Sequence, residues 1–447
     1  MKLPIEFETR MRNQLSADYD KFVEALESES PVSLRINPSK YTLPLPLERV
    51  DWCQTGYYLN NRPVFSSDPL WHAGTYYVQE ASSMMIESAF LKVRSLLNGP
   101  LKVLDLCAAP GGKSTLLANL LGDDDVLVSN EVIRSRVPVL YENLCKNGYP
   151  NCIITNSDSS DFEKIGGVFD LVLVDAPCSG EGLFRKDPEA VDQWNLENVT
   201  TCELRQKRIL ESISNCVKPG GFIIYSTCTY NPGENQEQVK LLENLNFKPT
   251  EFTLNNQSCS SFQCMPHTIK GEGFFIALLQ NHGNNEAIDI NAKHQLKPIK
   301  ADDTWKNFLT NPGNFYDYKS QILAIKDHVF DFFANHLCGL HIYSVGINLG
   351  TSKDKLFTVS PYLPFASNIN HEAFEKFELD QTQALSYLFK NAISISQKDK
   401  KGYVLLTYKN QIIGLGKFAG NRINNLFPAE WKLRKMPDTS QYFNLIN

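Results

Sequence analysis

The stretch "KVLDLCAAPGGKSTLLANLL", residues 102–121, decides the fold of this chain. "KVLDL" is an apolar strand, and "KSTLLANLL" has the apolar spacing of a helix. The turn between them contains Gly111 and Gly112, which allow its backbone to approach a ligand closely. Because a strand, a turn and a helix form the repeating unit of α/β proteins, this stretch predicts the first unit of a parallel sheet.

The same alternation of strand and helix continues to about residue 280. The further predicted strands are "DVLVSN", "NCIIT", "FDLVLVD", "GFIIYS" and, closing the block, "GEGFFIALLQ". The helical segment "RSRVPVLYENLCKNG" ends on a glycine, as helices often do. We therefore predict an α/β fold with a doubly wound, mostly parallel sheet.

Composition limits the class of protein. The chain has 447 residues, 42% hydrophobic and 21% charged, which is typical of a globular protein with several domains. It has no leader-like apolar segment and no apolar run near the roughly 18 residues of a membrane helix, so we expect a cytoplasmic protein. Its eleven cysteines contain no C-x-x-C pair, so we expect free thiols and no metal site.

Three classes of ligand use a small-residue turn after a first strand. A P-loop requires glycine where this chain has Cys107, and "APGGKS" does not fit the dinucleotide pattern G-x-G-x-x-G. S-adenosylmethionine (SAM) remains, because it has no phosphates to be held. A nucleotide- or NAD-binding enzyme is thus the disfavoured alternative.

Acidic residues follow the successive strands, at the edge where ligands bind in open α/β sheets. Glu131, about 20 residues after the turn, is placed to accept hydrogen bonds from ribose hydroxyls. Asp158 is a candidate for an adenine amine; Asp161 competes with it, and either could cap a helix instead. Asp105 and Asp175 lie at two further strand ends.

Two cysteines also follow strands: Cys178 in "VDAPCSGEG" and Cys228 in "YSTCTYNPGENQEQV". Cytosine C5 is too weak a nucleophile to take a methyl group directly, but addition of a thiolate to C6 activates it. The reaction needs a reactive cysteine at C6, an acid at N3 and a base for the C5 proton. Asp175 suits N3, and the residues alone leave open which cysteine attacks.

The motifs "CAAPGGKS", "DAPCSGEG", "STCTYNPGENQEQV", "GEGFFIALL" and "HAGTYYVQEASSM" resemble the Nop/Sun family of SAM-dependent RNA (cytosine-5) methyltransferases over about residues 32–280. "LTYKNQIIGLGKFAGNRINNLFP" (406–428) resembles the PUA-like module of the bacterial RsmF-type branch, which modifies 16S ribosomal RNA. The resemblance implies a Rossmann-like SAM-methyltransferase core with an antiparallel last strand. The resemblance further implies that this core is flanked by a small N-terminal domain and by C-terminal α+β and PUA-like modules.

The resemblance also implies roles for single residues. Cys228 would be the nucleophile, Cys178 would assist product release, and Lys113 would orient Asp175 or the base. The SAM site would comprise Cys107, Ala108, Ala109, Pro110, Gly111, Gly112, Lys113, Glu131, Asp158 and Asp175. The expected partner is small-subunit rRNA or the 30S particle, acted on by a monomer. The alternatives are a tRNA methyltransferase or a non-catalytic ribosome-assembly factor.

The net charge of −6 argues against a nucleic-acid partner unless basic residues are clustered. The candidates for a basic path are "GKFAGNR", "WKLRKMP", Arg134, Arg136, Arg185 and Lys186. Arg134 or Arg136 could instead shape the SAM pocket or lie on a solvated helix face. For His72, Gln79 and His267, the sequence leaves two roles possible: a place at the cytosine site or a structural role.

The predicted domains are 1–70, an N-terminal domain of RNA-binding type; 71–283, the methyltransferase core; 284–365, a linker and small α+β module; and 366–447, a PUA-like RNA-binding domain. The linker is the polar segment "NHGNNEAIDINAKHQLKPIKADD".

Overall fold

The computed structural model describes residues 2–288, 294–353, 356–396 and 399–446, so residues 289–293 of the predicted linker lie outside the described ranges. The described chain comprises an N-terminal domain, a central α/β domain, a middle module and a C-terminal module. Within these ranges, no helix combines the length and the apolar content that a bilayer span requires.

The N-terminal domain combines helices with a three-stranded antiparallel sheet. Its elements are α1 (Ile5–Leu15), α2 (Tyr19–Glu27), β1 (Val32–Ile36), β2 (Gly56–Leu59), α3 (Pro69–His72) and β3 (Tyr76–Val78), with strand order β2-β1-β3. Since β3 pairs with β1, the sheet extends past residue 70, the boundary predicted from sequence. Phe22 of α2 meets Tyr230 of the central domain at a ring-centroid distance of 5.2 Å. The N-terminal helices therefore pack on the loop that carries Cys228.

The central domain is built on a mostly parallel sheet. Its elements are α4 (Ile86–Leu96), β4 (Lys102–Asp105), α5 (Gly112–Leu120), β5 (Val126–Asn130), α6 (Val137–Asn147), β6 (Cys152–Thr155), α7 (Ser159–Phe162), β7 (Phe169–Asp175), α8 (Pro188–Gln193), α9 (Leu196–Ser214), β8 (Val217–Thr227), α10 (Gln236–Asn244), β9 (Phe247–Pro249), β10 (Phe252–Leu254), β11 (Gln257–Cys259), β12 (Ser261–Cys264) and β13 (Phe274–Asn281). The strand order is β12-β13-β8-β7-β4-β5-β6. β4 to β8 run parallel and β13 is antiparallel to β8, which confirms the predicted fold class.

Both faces of this sheet are buried, which explains why its strands are apolar without alternation. Val103 and Leu104, neighbours in β4, belong to hydrophobic clusters on opposite faces. α6 ends at Gly148, whose φ of +89° allows the left-handed cap that the sequence predicts. The carboxyl ends of the parallel strands meet at one edge, and that edge carries the candidate site.

The middle module gives one strand to the central sheet. Its elements are β14 (Lys297–Ile299), β15 (Asn314–Tyr318), β16 (Gln321–Ile325), α11 (Asp327–Phe332), β17 (Ile342–Val345), β18 (Ile347–Lys353) and β19 (Leu356–Val359). β17 pairs antiparallel with β6, whereas β18 joins the five-stranded sheet β14-β15-β16-β18-β19. The predicted single strand "HIYSVGINLG" is therefore two strands in two sheets. They are divided at Gly346, where φ is +62° and a Cβ would lie 2.5 Å from Ala324 O.

The C-terminal module is a second five-stranded sheet with one helix. Its elements are β20 (Glu375–Glu378), α12 (Gln381–Leu388), β21 (Ile393–Ser394), β22 (Tyr403–Tyr408), β23 (Gln411–Ala419) and β24 (Arg422–Asn425), with strand order β20-β22-β23-β24-β21. It shares one hydrophobic cluster with the N-terminal domain. Gln411 Nε2 donates to Lys40 O at 2.9 Å, and Leu445 N donates to Asp68 Oδ2 at 3.2 Å. The two ends of the chain are thereby joined beside the central domain.

Candidate active site

The small-residue turn lies between β4 and α5, as the sequence predicts. Gly111 precedes α5 with φ of +116°, and a Cβ there would lie 3.2 Å from Asn143 Cβ. Asn143 Nδ2 donates to Pro110 O at 2.8 Å, and Arg136 Nη2 donates to Ala109 O at 2.6 Å. α6 and the turn that precedes it therefore hold this loop in place, with its backbone free of bulky side chains.

Asp105 at the end of β4 is fully buried. Its Oδ2 accepts a hydrogen bond from Ser114 Oγ at 2.6 Å, while Oδ1 has no partner among the described residues. Burial raises the pKa of Asp105 to about 7. A buried acceptor without a protein partner fits a ligand that brings a hydrogen-bond donor or a positive charge, and SAM brings both. The sequence places Asp105 at a strand end but gives it no role of its own.

Glu131, directly after β5, is buried and held in a fixed orientation. Its Oε1 accepts from Ile133 N at 2.8 Å, and its Oε2 lies 3.5 Å from Arg136 Nη1. Val132 and Ile133 beside it leave 55% and 49% of their surface exposed. A carboxylate next to exposed apolar side chains suits a ligand with ribose hydroxyls and a flat adenine ring.

Asp158 caps α7, since its Oδ1 accepts from Ser160 N at 3.1 Å. This backbone hydrogen bond lowers the pKa of Asp158. Arg208 Nη2 lies 3.3 Å from its Oδ2, and the Asp158 side chain is 36% exposed. Its competitor Asp161, in α7, pairs on the surface with Lys164 of the following turn at 3.0 Å. Asp158 therefore has a capping role, and its Oδ2, which Arg208 contacts, belongs to a partly exposed side chain.

Asp175 and Lys113 form an ion pair between the end of β7 and the start of α5. Lys113 Nζ donates to Asp175 Oδ2 at 2.7 Å, and Ser226 Oγ donates to Oδ1 at 2.8 Å. Burial opposes the charge of Lys113, but the Asp175 carboxylate outweighs it and raises the lysine pKa. Lys113 therefore keeps its charge, and the hydrogen bond from Ser226, which the sequence did not indicate, fixes Asp175.

Cys178 and Cys228 face each other at the ends of β7 and β8. Their Sγ atoms lie 3.0 Å apart, and Cys228 N donates to Cys178 Sγ at 3.2 Å. The hydrogen bond with Cys228, and burial after it, raise the pKa of Cys178 well above its usual value. Cys178 therefore keeps its proton at neutral pH, which suits a supporting role better than that of the attacking thiolate.

Three side chains named from the sequence have structural partners instead. Arg185 is buried in an ion pair with Glu272 at 2.9 Å, so it is not part of an RNA-facing basic path. His72 is buried, its Nε2 contacts Ser66 O at 3.0 Å, and burial lowers its pKa to about 3. His267 packs edge-on against Phe22 at 5.9 Å. In the described ranges, no group of three or more His, Cys, Asp or Glu side chains has the arrangement of a metal site.

The structure gives different surroundings to Arg134 and Arg136, the two arginines that the sequence left open as candidates for the SAM pocket. Arg136 braces both Ala109 O and Glu131, whereas Arg134 is exposed and forms no side-chain hydrogen bond or ion pair with any residue that the structure describes. We expect Arg136→Ala to weaken SAM binding about tenfold, since one charged hydrogen bond contributes roughly 1.5–3 kcal/mol. Arg134→Ala is the control and should change the Kd by less than about twofold. Calorimetric titration with SAM measures both, and equal effects of the two substitutions would contradict this assignment.

Comparison with solved structures agrees with this architecture. NSun6 from Pyrococcus horikoshii, solved with SFG, superposes with a TM-score of 0.53 at 17% identity, covering 63% of this chain and 99% of that chain. This likeness shows the fold. The fold, the turn after β4 and the paired cysteines are together those expected of a SAM-dependent RNA methyltransferase.

Family models and sequence relatives identify the family within this class of enzymes. Residues 97–280 match the model of 16S rRNA methyltransferase RsmB/F, residues 3–81 the N-terminal domain of 16S rRNA methyltransferase RsmF, and residues 374–433 the methyltransferase RsmF PUA domain. The chain is 31% identical to ribosomal RNA small subunit methyltransferase F of Vibrio cholerae serotype O1, with 92% of this chain and 93% of the relative covered. Identity to the protein of the same name from Aeromonas salmonicida is 30%, with the same coverage. The chain therefore belongs to the ribosomal RNA small subunit methyltransferase F family.

Proposed function

We propose that this protein methylates C5 of one cytosine in 16S rRNA, through a covalent bond between Cys228 and C6. The observation that carries the proposal is the arrangement of four groups at adjacent strand ends. Cys228 and Cys178 lie 3.0 Å apart, and the Lys113–Asp175 pair lies on the neighbouring elements. A thiol pair beside a carboxylate provides the nucleophile, the partner for N3 and a second thiol that assists release of the product.

In the proposed reaction, the Cys228 thiolate adds to C6 while N3 takes up a proton from water. Asp175 stabilises the protonated ring by accepting a hydrogen bond from the N3–H group. Lys113 and Ser226 orient Asp175 for this contact. SAM supplies the methyl group that C5 takes up. The C5 proton then passes to water, the bond between Cys228 and C6 breaks with the sulfur leaving as a thiolate, and the C5–C6 double bond re-forms. Cys178 assists this release by donating a hydrogen bond from its protonated thiol to the leaving Cys228 sulfur. Apart from SAM and water, each step uses a side chain of this site, and none requires a metal ion.

The proposed SAM site consists of the turn from Cys107 to Lys113 with Glu131, Asp158 and Asp175. The turn gives space for the methionine part, and the Asp105 oxygen without a partner lies at its base. Glu131 would receive the ribose hydroxyls, with Val132 and Ile133 beside the adenine. Asp158 would accept from the adenine amine through Oδ2, which does not cap α7 and which Arg208 also contacts.

RNA binding is proposed for the C-terminal module. Lys417, Arg422, Lys432, Arg434 and Lys435 are exposed on it. Contacts between such side chains and phosphates supply affinity that falls as salt rises. The target cytosine must be unpaired or flipped out, since C6 is attacked from the face of the ring.

The substrate is tested by bisulfite sequencing of total RNA from cells with and without the gene. We expect one 16S rRNA cytosine to lose protection when the gene is removed, because only 5-methylcytosine resists conversion. Purified protein should restore the protection in vitro. Transfer of the labelled methyl group of SAM to 30S particles, free 16S rRNA or tRNA then compares the three substrates directly. Protection lost only in tRNA would refute the rRNA assignment, and no loss in any RNA would refute the activity.

A further inference from the structure

Glu234, in the segment "NPGENQ" after β8, is a buried carboxylate that the reaction above does not use. Its side chain is fully buried, and no basic side chain forms an ion pair with it in the described part of the chain. Its backbone carbonyl accepts from the hydroxyl of Tyr225, within β8, at 2.6 Å. Its main chain is thus anchored to the strand that leads to Cys228.

The side chain of Glu234 joins the two cysteine loops. Its Oε1 accepts from Ser179 N at 2.8 Å, and its Oε2 accepts from Ser179 Oγ at 2.5 Å and from Thr229 Oγ1 at 3.3 Å. Ser179 directly follows Cys178, and Thr229 directly follows Cys228. One carboxylate therefore bridges the residues next to both thiols.

A second side chain completes the connection. Gln206 of α9 donates from Nε2 to Glu234 Oε1 at 3.0 Å and to Pro177 O at 3.0 Å. Both residues next to Cys178 are therefore held in place: Ser179 by Glu234 itself, and Pro177 by Gln206, which donates to Glu234. The loop of Cys228 has a further anchor, because Thr227 Oγ1 donates to Asn235 Oδ1 at 2.6 Å. The Cys178 loop depends more on Glu234 than the Cys228 loop does.

The energetics favour a specific role for this group. Burying a carboxylate without a cation is costly unless hydrogen-bond donors satisfy it. Burial raises the pKa of Glu234, and the hydrogen bonds from Ser179 act in the opposite direction. The donors come from two separate loops and a helix, so the carboxylate is stable only when these three elements are assembled.

We propose that Glu234 is a positioning residue that holds the Cys178 loop against the Cys228 loop through Ser179 and Thr229. This inference rests on the proposed function, since it assigns Cys178 to product release. Loss of Glu234 should displace Cys178 more than Cys228. Attack at C6 would then continue while release slows, and the covalent protein–RNA adduct would accumulate.

The test compares Glu234→Ala with Glu234→Gln in the full-length protein. For Glu234→Ala, we expect kcat to fall by about 100-fold, the order of loss seen when a reacting group is misplaced by about 1 Å. An RNA-linked band should also appear on denaturing gels. Glu234→Gln should restore release to within about fivefold of wild type, because its amide can still bond Ser179, Gln206 and Thr229. Ser179→Ala, which removes one contact and keeps the backbone donor, should show the same defect more weakly.

Glu87→Ala is the matched control for loss of a buried carboxylate. Glu87 is buried and accepts from Gln54 N at 2.9 Å, away from both cysteine loops. It should lower the melting temperature without adduct formation. If Glu234→Ala is folded by circular dichroism and loses activity without an adduct, or keeps activity within about threefold, the proposal is overturned. If Glu234→Ala does not fold, Ser179→Ala decides by the same criterion.

The Cys178→Ala variant distinguishes a failure of the positioning role of Glu234 from a failure of the proposed function. If the wild-type protein transfers no methyl group to any RNA, the proposed function fails. If the wild type is active and Cys178→Ala accumulates adduct while the Glu234 and Ser179 variants do not, only the positioning role fails.

Discussion

Cys228→Ala should abolish methyl transfer, with a loss on the order of 10⁴–10⁶ in kcat, as for removal of other covalent nucleophiles. The variant should also form no adduct with RNA, because the bond to C6 is made by the missing sulfur. Labelled SAM measures transfer, and a denaturing gel measures the adduct. The resemblance to the Nop/Sun family is the reason for assigning attack to Cys228. The raised pKa of Cys178 agrees with that assignment, and the 3.0 Å separation of the thiols places both sulfurs at one site.

Cys178→Ala is the partner experiment for this assignment. It should still attack C6 but release product slowly, so that RNA-linked protein accumulates. Serine at either position tests whether a thiol is required, and Cys216→Ala, at a buried cysteine in the hydrophobic core, controls for packing. Adduct accumulation in Cys228→Ala instead of Cys178→Ala would reverse the two roles.

Asp175→Asn is expected to lower kcat by about 10²–10⁴, the usual contribution of a positioned acid–base group. The amide keeps the shape of the carboxylate, but it loses the negative charge that pairs with Lys113 and that would stabilise a protonated N3. Single-turnover transfer from SAM to rRNA measures the rate of the chemical step.

Asp170→Asn is a suitable control for Asp175→Asn. Asp170 lies near the opposite end of the same strand and pairs with Lys218 at 2.9 Å, so both substitutions remove one Asp–Lys ion pair from β7. We expect Asp170→Asn to affect stability alone. Transfer by Asp175→Asn within threefold of wild type would exclude its role at N3.

Much of the central domain follows from local patterns. A short window of sequence is enough to predict the turn at residues 106–111, the glycine at the end of α6, and the order of strands and helices. The buried strands are apolar throughout because helices cover both faces of the sheet. Strand ends of a parallel sheet meet at one edge, so the sequence also predicts that Glu131, Asp175, Cys178 and Cys228 lie near each other.

Partners between distant segments do not follow from such patterns. Arg185 has the surroundings of an exposed loop in the sequence, but in the structure Glu272, 87 residues away, holds it in a buried ion pair. "HIYSVGINLG" has the pattern of one strand, but its halves join two sheets because each finds a different partner. Nothing in a local window distinguishes these outcomes, since the free energy that decides them comes from contacts made only after folding.

The sequence alone therefore determined the α/β class, the SAM-type turn and the two thiols at strand ends, because backbone preference and hydrophobic periodicity act over a few residues. The tertiary structure alone decided which charges pair, that the Cys178 and Cys228 sulfurs meet at 3.0 Å, and that the buried carboxylate of Glu234 joins their loops. The contact between the thiols and the hydrogen bond from Ser179 to Glu234 depend on residues brought together across 50 or more positions of the chain. Packing, and not local propensity, sets their distances and their protonation.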